Sequence, residues 1–330
     1  GYLIYWMVPG IPLIPAFALA AVLSPTDAVA LSGIVGEGRI PKKIMSIVQG
    51  EALMNDASGL VSLKFAVAVA MGTMVFTWGG ASVEFLKVAI GGLIAGVAVC
   101  WLYGKSLRLL SRWSGDDPAT QTVLLLLLPF ASYLIAEHLG VSGILAAVAA
   151  GMTITRSGII RQAPLAMRLR ANSVWQMLEF VFNGMVFLML GLQLPDIIGT
   201  SIDAANADPN VELWMLFTDI ILVYGALMVV RFGWLWIMQR LSKRVLKKKP
   251  MEFANYSLRE LLIATFAGVR GAITLAGVLS IPLFLTSGEP FPARYELVFI
   301  ATGVILFSLL VGVVLLPLLL RGVDGIDKAG

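Results

Sequence analysis

The sequence predicts an all-α polytopic membrane protein, built as an inverted repeat around two discontinuous crossing helices. Hydrophobic residues make up 58% of the chain and charged residues 13%, at a mean hydropathy of +0.89. Soluble globules run to about one half apolar and about one quarter charged. Nine apolar runs, at 13–35, 44–72, 83–103, 119–136, 141–155, 174–194, 213–239, 258–285 and 295–320, are long enough to cross a bilayer or to lie buried beside helices that cross. They are continuously apolar, which points to helices and not to the alternating strands of a barrel. Of the 24 Lys and Arg, 19 fall in alternate loops on one side of this layout, two (Lys87 and Arg294) on the other, and three (Lys64, Arg231 and Arg270) inside helices. That asymmetry fixes the basic side, and with it the C-terminus, as cytoplasmic.

In chain order, Tyr2 to Val8 is too short to span and has no basic leader, so it reads as the end of a cut helix whose predecessors are missing from this chain. The run 13–35 is interrupted by Ser24-Pro25-Thr26-Asp27, and 258–285 by Gly268-Val269-Arg270-Gly271. Proline removes a backbone donor and glycines let the chain leave helical geometry, so each run breaks at depth. The two runs cross in opposite directions, the pattern of an inverted-repeat secondary transporter with its site at the breaks. The layout gives the end of a first repeat at 1–75, a linking helix within 76–118, a second repeat at 119–320 and a short cytoplasmic tail at 321–330. Cys100 lies in an apolar run as a small buried hydrophobe, and a single cysteine forms no intrachain disulfide. The three-arginine stretch 157–172 reads as an interfacial helix on the inner surface, and the lysines at 247–249 as a topology signal or lipid headgroup contact. The net charge of +4 is spread over loops, which excludes a nucleic-acid surface.

The chemistry concentrates in Val48 to Ser58, VQGEALMNDAS. An ionisable group at mid-bilayer costs roughly 2.5 to 3.5 kcal/mol, so Asp27, Glu51, Asp56 and Arg270 must face inward and compensate one another. From the helical rise, Asp56 and Arg270 each lie about 18 Å from the inner end of their runs and Asp27 about 12 Å, one layer near the middle of the core. Asp27 follows a Ser-Pro-Thr start signal and belongs at the N-terminus of an inner half-helix. Asp56 has no cationic neighbour within four residues on its own helix; out of water it holds a proton or a small cation, and not both. Oxygen donors, with no thiolate or imidazole, suit a hard monovalent ion. Glu51 and Asn55 share a helix face, and Arg270 is the expected counter-charge for Glu51. Glu179 and Asn183, also four apart, are expected to knit 174–194 to its neighbours. Lys64 snorkels towards the outer end, Asp219 and Arg231 read as structural, and His138 sits in a short outer turn.

Together LSPTDAVAL, GEALMNDASGLV, LGVSGILAAVAAG, WQMLEFVFNGMVFLMLGLQL and GVRGAITLA, in that order and spacing, resemble the monovalent cation:proton antiporter 1 family, the bacterial NhaP-type and NHE-type sodium/proton exchangers. The resemblance implies the NhaA/NhaP-like fold, with Thr26 and Asp27 in the unwound crossing helix and Asn55-Asp56 supplying the carboxylate that carries ion and proton. It also implies an internal Glu51–Arg270 pair, a homodimer, an elevator-like motion and residence in the bacterial cytoplasmic membrane. The Asn-Asp order is similar to the branch that exchanges one cation for one proton, with no cofactor and no enzymatic step. Where many relatives have Ser three residues before the Asn, this chain has Ala52, which leaves Na+, K+ and Li+ open. An intramembrane aspartyl protease would need a GxGD context that neither aspartate has, and a cation channel would not call for inverted broken helices.

Overall fold

The structure, a computed structural model, describes residues 1–36, 39–73, 78–114, 117–158, 165–207, 213–245 and 256–321. These form twelve helices: α1 (Tyr2–Met7), α2 (Leu13–Leu23), α3 (Ala28–Val35), α4 (Lys42–Ala70), α5 (Trp78–Ser114), α6 (Pro118–His138), α7 (Gly143–Arg156), α8 (Leu165–Ala207), α9 (Leu213–Val245), α10 (Leu258–Phe266), α11 (Ala272–Leu279) and α12 (Arg294–Leu320). Six of them are long and apolar enough to cross a membrane, and α2 with α3 passes as one further span bent by 51°. The chain divides into one unit of 1–74 with 186–330 and another of 75–185.

The larger unit holds both broken helices. Its core is aliphatic: Leu19, Val22 and Leu23 of α2 pack with Leu63 of α4, Val278 of α11 and Leu297 and Ile300 of α12, all 2% exposed or less. Two glycines set how closely the elements approach. A Cβ at Gly59 of α4 would lie 2.9 Å from the Ala21 carbonyl and the Pro25 ring, and one at Gly277 of α11 would meet Val22. Their absent side chains let α4 and α11 lie directly on the first broken helix.

In the smaller unit α5 and α7 make the closest backbone contact. Gly91, Gly92 and Gly96 of α5 receive Val141, Ser142 and Ala146, and a Cβ at Gly92 would fall 3.1 Å from that of Ser142. Cys100 is fully buried beside Leu125, Leu128, Ala150 and Ile154, in the packing role expected of it. Helix starts follow their caps. Asp117 accepts from Ala119 and Thr120 at the head of α6, Ser142 from Leu145 at α7, and in the larger unit Ser257 and Glu260 form a capping box on α10. The Thr120 hydroxyl and amide hold the Asp117 carboxyl below its ordinary value.

Several boundaries differ from those read in the sequence. The second crossing helix stops at Leu279, not 285. Pro282 disfavours helix at the residue before it, and 281–293 instead closes as a loop with an isolated bridge between Phe284 and Pro290. Residues 165–172 are no separate interfacial helix but the opening turns of α8, which also continues through Pro195; residues 159–164 and the lysines at 247–249 lie outside the described residues. Helix α9 runs on past 239 to Val245, a difference that matters at the site.

Candidate ion site

The site begins with two interruptions that repair each other. After Leu23 the chain leaves helical geometry through Pro25 and resumes at Ala28, with Asp27 as the N-cap of α3. Its Oδ1 accepts from Val29 (3.0 Å) and Ala30 (2.8 Å). At the second interruption α10 ends at Phe266 and α11 begins at Ala272, and the N-cap Gly271 has no side chain to offer. The cap comes from the first break: Asp27 Oδ2 accepts from the Ala272 amide at 3.1 Å, while the Asp27 amide donates to the Val269 carbonyl at 2.8 Å. One carboxylate therefore sits at the positive ends of two half-helices, where free N–H groups and the dipole favour it. Gly271 is obligatory for this, because a Cβ there would overlap the Asp27 carboxylate.

Gly59 presses α4 against the Pro25 break, and Asp56 lies one turn earlier on the same helix. Asp56 is half-buried, and its Oδ1 is buried with no hydrogen-bond partner. The hydroxyl of Thr26, 3% exposed, is likewise buried and unpartnered. Asn55 Nδ2 donates to Glu51 Oε1 at 3.2 Å.

The counter-charge of Glu51 differs from the expected one. Its Oε1 is paired with Arg231 of α9, and Arg270 is not its partner. Arg231 reaches it over Gly268, where a Cβ would stand 2.6 Å from the guanidinium carbon, and its Nε donates to the Ala264 carbonyl at 3.2 Å. Arg270, 4% exposed, turns back onto its own break, with Nη1 donating to the Gly268 carbonyl at 2.6 Å and its amide donating to Ser308 Oγ of α12 at 3.1 Å. Both guanidinium groups thus contact the carbonyl end of α10, the negative pole of that helix. The sequence reading ended α9 at 239 and so put Arg231 near a helix end; with α9 running to Val245 it lies near the middle. The available signal was an arginine with no acid within four residues on its own helix, which demands a partner from elsewhere.

Lys64 is exposed towards the far end of α4, and His138 is exposed at the end of α6. Glu179 is exposed, and the Asn183 side chain lies outside the described residues. Asp219 lines a cavity of about 550 Å³ with Met7, Ile11, Trp214 and Glu296, none of which belongs to the crossing. Among the described residues no three His, Cys, Asp or Glu side chains gather as a metal cluster.

Residues 1–322 match the family described as "Sodium/hydrogen exchanger, transmembrane". The chain is 80% identical over 329 residues to the uncharacterized Na(+)/H(+) exchanger YjcE of Escherichia coli (strain K12), covering 100% of this chain and 60% of that protein. It is 40% identical over 320 residues to a sodium, potassium, lithium and rubidium/H(+) antiporter of Bacillus subtilis (strain 168), covering 97% of this chain and 47% of the relative. The chain thus spans between about half and three fifths of the length of these relatives. In fold it is similar to the sodium proton antiporter MjNhaP1 from Methanocaldococcus jannaschii, with a TM-score of 0.61 at 16% identity over 94% of this chain and 71% of that one. An integral membrane protein with apolar spans around two mutually capped broken helices, the chain belongs to the sodium/hydrogen exchanger family.

Proposed function

We propose that the protein is a secondary antiporter that exchanges Na+ for H+ by alternating access, with cation and proton competing for Asp56. The observation that carries this reading is the contrast between the two aspartates. Asp27 spends three of its roughly four lone-pair positions on backbone N–H groups, whereas Asp56 keeps a buried oxygen with no partner. A buried carboxylate oxygen left unmatched is costly, and either a proton or a metal ion removes that cost. Asp27 retains one position for the ion, and the neighbouring Thr26 hydroxyl adds a neutral oxygen ligand. Asn55, steered by its bond to Glu51, keeps its amide oxygen for the same layer. The Glu51–Arg231 pair and Arg270 hold the surrounding backbone and carry no cargo. With one exchangeable carboxylate, one proton is released per monovalent cation taken up, so exchange is electroneutral.

The ligands are hard oxygens, which admit Li+ and K+ as well as Na+. K+/H+ exchange is the second reading, favoured by the names of the Bacillus subtilis and Bacillus pumilus relatives, which include potassium, lithium and rubidium beside sodium. The same reading extends to a homodimer in the bacterial cytoplasmic membrane, and the charge asymmetry supports the placement of the basic loops and C-terminus on the cytoplasmic side. The test is reconstitution into liposomes with an internal pH dye and pulses of Na+, K+ and Li+ across a pH series. Wild type is expected to move protons on cation addition without a change in membrane potential, and Asp56→Asn to lose that flux while melting like wild type. An Asp56→Asn protein that exchanges at the wild-type rate would refute the assignment.

A further inference from the structure

We propose that Ser308 is a positioning residue for the exchange reaction: its hydroxyl fixes the Val269–Arg270 peptide, whose carbonyl accepts from the Asp27 amide, and so sets the geometry of the ion site from a third helix. The inference rests on the antiport reading above. Helix α10 ends at Phe266, so the amide of Arg270 has left the helical ladder, and it does so in a segment that is 4% exposed or less from Val269 to Arg270. A buried amide needs an acceptor. Ser308 Oγ supplies it at 3.1 Å, and the Ser308 hydroxyl proton is in turn committed to the Ile305 carbonyl at 2.8 Å. That second bond fixes the rotor, so a lone pair points at the break.

Ser308 is 2% exposed and is placed by the packing of α12. Ile305, fully buried, clusters with Leu275 of α11. One turn after Ser308, Gly312 leaves room for the second break: a Cβ there would already stand 3.3 Å from Val269 Cγ2 and 3.6 Å from Ile34 of α3. Ile305, Ser308 and Gly312, at three- and four-residue spacing, form one face of α12 laid along the interruption. Two residues on from the amide that Ser308 receives, the Ala272 amide meets Asp27 Oδ2, and one residue before it the Val269 carbonyl receives the Asp27 amide. Every bond Asp27 makes to the second break is therefore within two residues of the Ser308 tether. In an apolar helix such as α12 a lone serine does not contribute to burial, and the tether accounts for its presence.

The experiment compares Ser308→Cys, nearly isosteric but a poor acceptor, with Ser308→Thr, which keeps the hydroxyl, using cation-driven proton flux in liposomes and melting in detergent. Ser308→Cys is expected to raise the apparent KM for Na+ about fivefold to tenfold with kcat within twofold of wild type, and Ser308→Thr to restore most of the affinity. A Ser308→Cys protein with wild-type KM overturns the proposal. So does a pair of variants that lose melting temperature and flux alike, because that is the signature of a purely structural role. A wild-type protein that shows no cation-driven flux would instead defeat the antiport reading, which keeps the two failures distinct.

Discussion

Exchanging the expected partner of Glu51 for Arg231 is open to direct energetic test. Removing one member of a buried ion pair costs about 3–5 kcal/mol because the other is left charged and unpaired. The Arg231 side chain is 8% exposed, but Glu51 retains 27%, so water takes up part of the stranded charge and the lower end, about 3 kcal/mol, applies to Arg231→Met. Some of that loss is the Arg231 bond to the Ala264 carbonyl, which does not involve Glu51, so single variants cannot isolate the pair. A double-mutant cycle can. Unfolding free energies in mixed detergent micelles for Glu51→Gln, Arg231→Met and the double variant should give a coupling of about 1.5–3 kcal/mol, larger than the coupling of Glu51 with Arg270. A coupling to Arg270 as large as that to Arg231 would mean that the guanidinium groups have exchanged roles and that the space above Gly268 does not select Arg231.

At Gly271, an alanine must displace the Asp27 carboxylate that occupies the position of its Cβ. Loss of the charge-assisted bond to Ala272 costs about 1.5–3 kcal/mol, so Gly271→Ala should melt lower and lose at least tenfold in cation-driven flux; wild-type flux would show that the two breaks are not coupled through Asp27. Asp117 gives a pH-dependent case outside the spans. Its folded carboxyl lies below the ordinary value of 3.8 because Thr120 hydrogen-bonds the charged form, so its stabilisation is present above that value and is lost as pH falls through the lower, folded one. Asp117→Ala should therefore melt below wild type near neutrality, with the gap closing at acid pH; a gap that persists there would assign the effect to packing.

Much of the fold was legible because a membrane imposes few solutions. Length and apolar continuity identified the spanning runs, and the proline-containing and glycine-flanked interruptions were read at the residues where the structure leaves the helix. Asp27 was recognisable as a cap for α3, since Ser-Pro-Thr-Asp before an apolar run is a local signal. Its second cap, on α11, was not, because nothing near Asp27 in the chain encodes a neighbour 245 residues away. Arg270 was paired with Glu51 on charge and depth alone. The actual choice depended on the empty space above Gly268 and on how far α9 extends, and both are properties of packing. The long α8 runs through Pro195 past the end of the apolar run at 194, since a proline interrupts a helix only where its lost bond is not made good by the rest of the chain.

The bond between the Asp27 amide and the Val269 carbonyl also bears on how such a chain is made. At about 5–20 residues per second, a ribosome needs on the order of 12–50 s to travel from one interruption to the other. Throughout that interval the unwound stretch of the first repeat has reached the bilayer with a peptide donor that hydrocarbon cannot satisfy. Until the second repeat supplies the Val269 carbonyl that donor has no acceptor in lipid, which gives biogenesis its own reason for the two halves to match.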